Sequence, residues 1–404
     1  MLCSEHNCFM CPHCGHTLNV QDVVQSIKKD EARGYCSQCK IWTPFQLPSI
    51  RKKLVYLDQS FLSDICFPAN ETGIEKRLYH KLYELKVQQK IFLLVSDIHS
   101  IETSAIPDEY TKNRMILWEF QNNLANGNIA GNFYDVFAAQ TRRMLIEQDG
   151  TDPFPFTDIG LDDPHRWQVG MNVVPTNSWR LRLNRAYALP RDEINEKFLN
   201  IIDRQVKNIP DCRGVRDCLN HVTELWRNDI QQGINAYNQQ CEILLIMQQL
   251  TEEFETGKPI SNQIPQLSDA PFRRIVSDVV NGLDESAVLL RWSELLKSNP
   301  ILICPALRIK IAFEAELLRM RWQGYRPNPK KFNANFGISR QNDIDHISTF
   351  VPYVDALTTD NDMSNLCQRE VVAEELARFP AKIFSKKNYN DFEAWLDTLL
   401  VTSA

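Results

Sequence analysis

No apolar run in this 404-residue chain approaches the roughly 20 residues needed to cross a bilayer, so hydropathy predicts no membrane-spanning helix. The opening stretch, Met1-Leu2-Cys3-Ser4-Glu5-His6, lacks the basic segment and following apolar core of a secretory signal. Excess positive charge is missing as well. Lys and Arg number 45 against 51 Asp and Glu, a net charge of −6, so no global basic field marks a nucleic-acid binder and only local patches could serve. Internal repeats and low-complexity tracts are absent too, which argues against a solenoid. What remains is a globular composition long enough for two or three domains. The 12 cysteines are unevenly spread: half fall within the first 39 residues, and Cys66, Cys212, Cys218, Cys241, Cys304 and Cys367 stand singly. Without a secretory signal, the early cluster predicts metal binding, the rest reduced thiols, and the location is expected to be cytoplasmic.

Within the early cluster, Cys11-Pro12-His13-Cys14-Gly15 and Cys36-Ser37-Gln38-Cys39-Lys40 give C-x2-C-x21-C-x2-C. Two residues between cysteines let both thiolates of a tight turn reach one tetrahedral ion, so Cys11, Cys14, Cys36 and Cys39 are the expected ligands of a structural Zn²⁺. Gly15 suits a position of positive φ. The pattern resembles a zinc ribbon over about residues 8 to 46. Cys3, Cys8 and His6 are spare candidates. So small a module draws its folding energy from the metal. It serves either as a contact surface for nucleic acid or protein, or as a folding clip.

Further along, Leu54-Val55-Tyr56-Leu57 ends on Asp58, and Ile91-Phe92-Leu93-Leu94-Val95 leads through Ser96 to Glu102. Asn342-Asp343-Ile344-Asp345-His346 opens a helical pattern, and Ala356-Leu357-Thr358-Thr359 ends on Asp360, with Asp362 beyond. Short apolar runs of this kind predict buried strands of a parallel sheet, with a helix over residues 75 to 90 completing a βαβ unit. Ligands of open α/β sheets bind outside the carboxyl ends of the strands, where these acids can meet. Carboxylates forced together repel unless a hard cation such as Mg²⁺ or Mn²⁺ neutralises them. Each acid also has a plain structural role available: Asp343 as a helix N-cap, Glu102 against a helix dipole, Asp360 to Asp362 as a turn.

These motifs, Tyr56-Leu57-Asp58-Gln59-Ser60, Ser100-Ile101-Glu102-Thr103, Asn342-Asp343 and Thr358-Thr359-Asp360, resemble those of the PIN-domain nuclease family. The resemblance covers about residues 53 to 106 and 340 to 390, with Gln59 standing where threonine is common. It implies an α/β/α core with a parallel sheet, Asp58, Glu102, Asp343 and Asp360 as catalytic ligands of Mg²⁺ or Mn²⁺, and hydrolysis of phosphodiesters. Ser60, Thr359, Asp345 and Asp362 become accessory candidates; His346 is either a proton donor or a packing residue. The resemblance favours RNA over DNA and leaves a toxin or defence role open.

The expected organisation is therefore a zinc ribbon (1–48), a PIN-like core (49–106 and 337–404) and a mainly helical insertion (107–336). Helix-period patterns span Glu109 to Leu124, Asn132 to Glu147, Arg191 to Val206, Val215 to Phe254 and Pro305 to Gln323. The insertion offers a surface for a homo-oligomer or protein partner. Arg308, Lys310, Arg326, Lys330, Lys331 and Arg340 form a local basic excess interleaved with aromatics, a candidate nucleic-acid contact or a solvated face. Trp167, Trp179 and Trp226 are expected in the helical core. The leading expectation is a metal-dependent endoribonuclease. The alternatives are a catalytically inactive PIN-like adaptor binding nucleic acid or protein, and a hydrolase of small phosphoesters.

Overall fold

Apolar residues without alternation in β7 (Lys53–Tyr56) and β8 (Ile91–Ser96) reflect a sheet covered on both faces. The structure is a computed structural model describing residues 2–3, 8–18, 23–25, 31–46, 49–70, 72–96, 98–104, 106, 108–146, 154–166, 214–256, 272–298, 304–323 and 338–401. Successive side chains of a strand point to opposite faces. Leu54, Tyr56, Phe92 and Leu94 accordingly enter one core, and Val55, Leu57, Leu93 and Val95 another.

Three further strands, β9 (Ile129–Ala130), β10 (Ala356–Thr358) and β11 (Lys382–Phe384), complete a parallel sheet in the order β11-β10-β7-β8-β9. Chain order reverses between β7 and β10, which makes the gap at their carboxyl ends the topological switch point. One face carries α1 (Gln59–Cys66), α2 (Ile74–Val87), α4 (Thr111–Leu124) and α13 (Tyr389–Val401). Leu78, Leu82 and Leu85 form the buried stripe of α2. The opposite face carries α5 (Phe133–Ile146), α6 (Val215–Glu255), α7 (Arg273–Val280), α8 (Glu285–Lys297), α9 (Pro305–Trp322), α10 (Ile338–Phe350), α11 (Asn361–Cys367) and α12 (Glu370–Leu376). Between β8 and α4 lies α3 (Ile98–Ser104).

Several expectations need correction. The two-residue strand β9, too short to carry a periodic signal, lies within the span expected to be mainly helical and is an addition to that reading. The sequence reading also omitted α7 and α8. Asp343 lies inside α10, not at its start, so it is no N-cap. Cys218, in the first turn of α6, is disulfide-bonded. Reduced thiols are therefore not general outside the N-terminal cysteine cluster, although Cys66, Cys241, Cys304 and Cys367 are free. Trp226 does join the core, its Nε1–H donating to Glu314 at 2.6 Å. Trp167, Trp179 and the helix expected over Arg191 to Val206 lie outside the described residues. Among those residues no helix is long and apolar enough to cross a membrane.

The N-terminal segment forms two three-stranded antiparallel sheets, β1 (Leu2–Cys3) to β3 (Thr17–Leu18) around β2 (Cys8–Met10), and β4 (Val23–Gln25), β5 (Glu31–Tyr35) and β6 (Trp42–Gln46).

Candidate functional site

Two equivalent turns build the first candidate metal centre. Gly15 N–H donates to the Cys11 carbonyl and Lys40 N–H to the Cys36 carbonyl, at 2.8 and 2.7 Å. Both closing residues take positive φ, +70° at Gly15 and +58° at Lys40. The turns gather the sulfurs of Cys11, Cys14, Cys36 and Cys39 within 4.8 Å of one another. Cys11 to Cys39 is 3.7 Å and Cys14 to Cys36 is 3.5 Å. A tetrahedron with bonds near 2.3 Å has edges of about 3.8 Å, so the four thiols fit one zinc-sized ion.

The second centre lies at the switch point. Asp58, two residues past the last residue of β7, caps α1, its Oδ2 accepting from Ser60 N–H at 3.2 Å and Ser60 Oγ–H at 2.6 Å. Its own N–H donates to Thr358 Oγ1 at 2.9 Å, which ties the ends of β7 and β10. Asp360 follows β10 and caps α11 by accepting from Met363 N–H. Helix α10 supplies Arg340, Asp343 and His346, three residues apart and therefore on one helical face. Ile344, Ile347 and Phe350 hold that helix in the core. The result is a site group of Asp58, Asp343 and His346, each offering one atom within 4.8 Å of the others, which could hold a metal ion.

Of the four acids predicted from sequence, Asp58 and Asp343 belong to this group, while Asp360 and Glu102 border it through Arg340 and Asn342. Arg340, only 4% exposed, joins two of them, its Nη1 3.4 Å from both Asp343 Oδ2 and Asp360 Oδ1. Asn342 Nδ2–H donates to Glu102 Oε1 at 3.2 Å, bringing α3 to the same place. Burial, followed by the charge of Asp58, raises the Asp343 carboxyl well above its ordinary range, and burial raises Asp58 too. Such a cluster favours a bound cation. Beneath it, Tyr56 stacks on Phe350 at 4.3 Å, and the His99 and His346 rings lie 5.4 Å apart. Burial depresses both imidazoles, His99 to about 4, so they are neutral near pH 7. Ser96 Oγ contacts His346 Nε2 at 3.1 Å, while the buried Nδ1 has no hydrogen-bond partner among the described residues. A neutral imidazole with one nitrogen anchored and the other unsatisfied fits a metal ligand.

The remaining candidates disperse. Thr359 is buried beside Asp360, its N–H donated to the Phe384 carbonyl. Asp362 is exposed, 3.8 Å from Arg340 Nη2. Asp345 instead contacts the Lys310 ammonium and accepts from Gln341 at 3.1 Å. Lys310 and Arg340 require correction as nucleic-acid contacts: both are buried counter-ions, Lys310 with its ammonium 4.1 Å from the Phe133 ring centre. Arg308 pairs with Glu375 at 2.5 Å. Arg326, Lys330 and Lys331 lie outside the described residues. Sequence reasoning undervalued His346 and missed His99; the Arg340-x2-Asp343-x2-His346 spacing was the available signal. In comparisons with known proteins, no family model, no curated protein and no solved structure matches this chain.

Proposed function

We propose that the chain is a metal-dependent nuclease that hydrolyses phosphodiester bonds of RNA, with a PIN-like core and an N-terminal ribbon that holds structural Zn²⁺. The observation that carries this reading is the grouping of Asp58, Asp343 and His346 beyond the carboxyl ends of a parallel sheet, with Asp360 linked to Asp343 through Arg340 and Glu102 held by the neighbouring Asn342. The three-layer α/β/α arrangement agrees with the resemblance to PIN-domain nucleases.

Asp58, Asp343 and neutral His346 would hold one Mg²⁺ or Mn²⁺. When bound, the ion lowers the pKa of a water ligand and polarises a phosphoryl oxygen. Ser60 fixes Asp58, and Ser96 fixes the His346 ring. Arg340 neutralises Asp343 and Asp360 where a second ion would otherwise be needed. Glu102, positioned by Asn342, is assigned to take the proton of the attacking water. Water oxygen then bonds to phosphorus, one ribose–phosphate P–O bond breaks, and the departing oxygen takes up a proton from solvent. Tyr35 and Trp42, a cross-strand pair with ring centres 5.5 Å apart, are exposed on the ribbon and suit stacking against bases.

The same Arg340 favours the alternative, an inactive adaptor, because its charge offsets part of what an ion would neutralise. Labelled single-stranded RNA and DNA, incubated with wild type and Asp343→Asn in Mn²⁺, Mg²⁺ or no divalent ion, separates the two. RNA cleavage that needs the metal and falls by more than about 100-fold in the variant is expected, beyond the loss from removing a ligand's hydrogen-bonding partner. Binding without cleavage under every metal would establish the adaptor instead.

A further inference from the structure

The opposite end of the sheet has its own chemistry. Residues 51–54 at the start of β7, 352–355 before β10 and 380 before β11 wall a cavity of about 740 Å³. That volume lies within the range of small-molecule sites. A strand of four residues, roughly 13 Å, separates this end of β7 from the acidic cluster.

Charge in the cavity wall is strongly one-sided. Among the described residues seven basic side chains line it, Arg51, Lys52, Lys53, Arg143, Arg291, Arg308 and Arg378, against the single carboxylate of Asp355. Lys53 is paired with Asp355 at 2.6 Å and Arg143 with Asp158 at 2.7 Å, while Arg308 and Arg378 share Glu375. Arg51, Lys52 and Arg291 have no carboxylate in ion-pair contact among the described residues. Lys52 is buried, its ammonium donating to the Arg166 carbonyl at 2.6 Å, and desolvation pushes it down to about 7, with Asp163 opposing from a distance. Cations gathered in a partly desolvated pocket favour an anion with several oxygens, and guanidinium groups match phosphate geometry.

Aromatic surface accompanies the charge. Phe154, Phe156, Tyr353 and Phe379 line the same cavity, and the Arg143 guanidinium lies 4.7 Å from the Phe154 ring centre. The hydrogen-bond chain Gln140–Tyr353–Asp158–Arg143 fixes this wall, with Gln140 Nε2–H donating to Tyr353 Oη at 2.7 Å and Tyr353 O–H to Asp158 at 3.0 Å. Flat apolar surface beside a phosphate-matching array suits a ligand that joins an aromatic ring to phosphate.

We propose that this cavity binds a small phosphorylated ligand of the nucleotide class, at a site separate from the acidic cluster. The inference shares no residue with the metal site and survives if the nuclease reading fails.

Calorimetric titration of the full chain, with no divalent ion added, tests it. The probes are adenosine and uridine mono- and triphosphates, the two nucleosides and inorganic pyrophosphate. Wild type is expected to bind at least one nucleotide with a dissociation constant below about 1 mM, and the nucleosides and pyrophosphate at least about tenfold more weakly. Arg291→Gln and Arg51→Gln, at half-buried and exposed positions, should each weaken the nucleotide by about tenfold or more while leaving the melting temperature in place. Asp343→Asn should bind it unchanged. The proposal is overturned if no nucleotide binds, if a nucleoside or pyrophosphate binds equally well, or if Asp343→Asn abolishes binding that both arginine variants keep.

Discussion

His346 Nδ1 lies 3.9 Å from Asp58 Oδ1, two groups carried by different elements and brought together across the switch point of the sheet. The distance is too long for a hydrogen bond, and among the described residues Nδ1 has no hydrogen-bond partner. With Asp343 the pair forms the three-residue group able to hold an ion.

Titrating Mn²⁺ into the protein and its Asp58→Asn variant, followed by electron paramagnetic resonance, should show one tight ion in wild type. In the variant the affinity should fall by more than about 100-fold. Saturating Mn²⁺ at 100 times its dissociation constant should stabilise wild type by about 2.7 kcal/mol and the variant by much less. Without metal the ordering should reverse, because the substitution removes a buried charge from among carboxylates.

If the Cys11, Cys14, Cys36 and Cys39 cluster is the proposed zinc ribbon, elemental analysis should find about one zinc per chain, lost in Cys36→Ser together with the local fold. Lys40 occupies the left-handed region that Gly15 takes in the matching turn. Lys40→Gly should therefore raise the thermal stability of the zinc-loaded ribbon, by about 1 kcal/mol.

Much of the sheet was readable because both of its faces are covered: Leu54 to Leu57 and Ile91 to Val95 appear as uninterrupted apolar runs. The acids after those runs were readable for the same reason. Helix α10 was harder. Its site-facing residues Arg340, Asp343 and His346 interleave with core-facing Ile344, Ile347 and Phe350, so neither stripe stands out. Charge counting misplaced Lys310 and Arg340, since a cation buried against an acid from another segment looks like a solvated one in sequence. Strand β9 has two residues and no pattern to detect.

Gly233 marks a close approach between helices. A Cβ there would lie 2.6 Å from Phe272 Cβ, at the start of α7. Gly233→Ala should destabilise the fold by about 1–3 kcal/mol despite its higher helix propensity, as denaturant titration would show.

Lys52 gives the stability a measurable pH slope. Its folded value, near 7, lies below the 10.5 of a free lysine, so the folded state binds fewer protons between those limits. Its contribution is complete above about 10.5 and is lost as pH falls toward 7. Lys52→Met should remove that slope. Its stability relative to wild type should drop by up to about 1.4 kcal/mol per unit as pH rises through the window. Equal slopes in the two proteins would show that the lysine keeps its ordinary value.

Anomalous diffraction from crystals soaked in Mn²⁺ tests the central claim most directly. The expected result is a manganese peak in ligand contact with Asp58, Asp343 and His346, absent in crystals of Asp343→Asn. A wild-type map at saturating Mn²⁺ with no peak there, or with the ion bound elsewhere and Arg340 still bridging Asp343 and Asp360, would contradict the account.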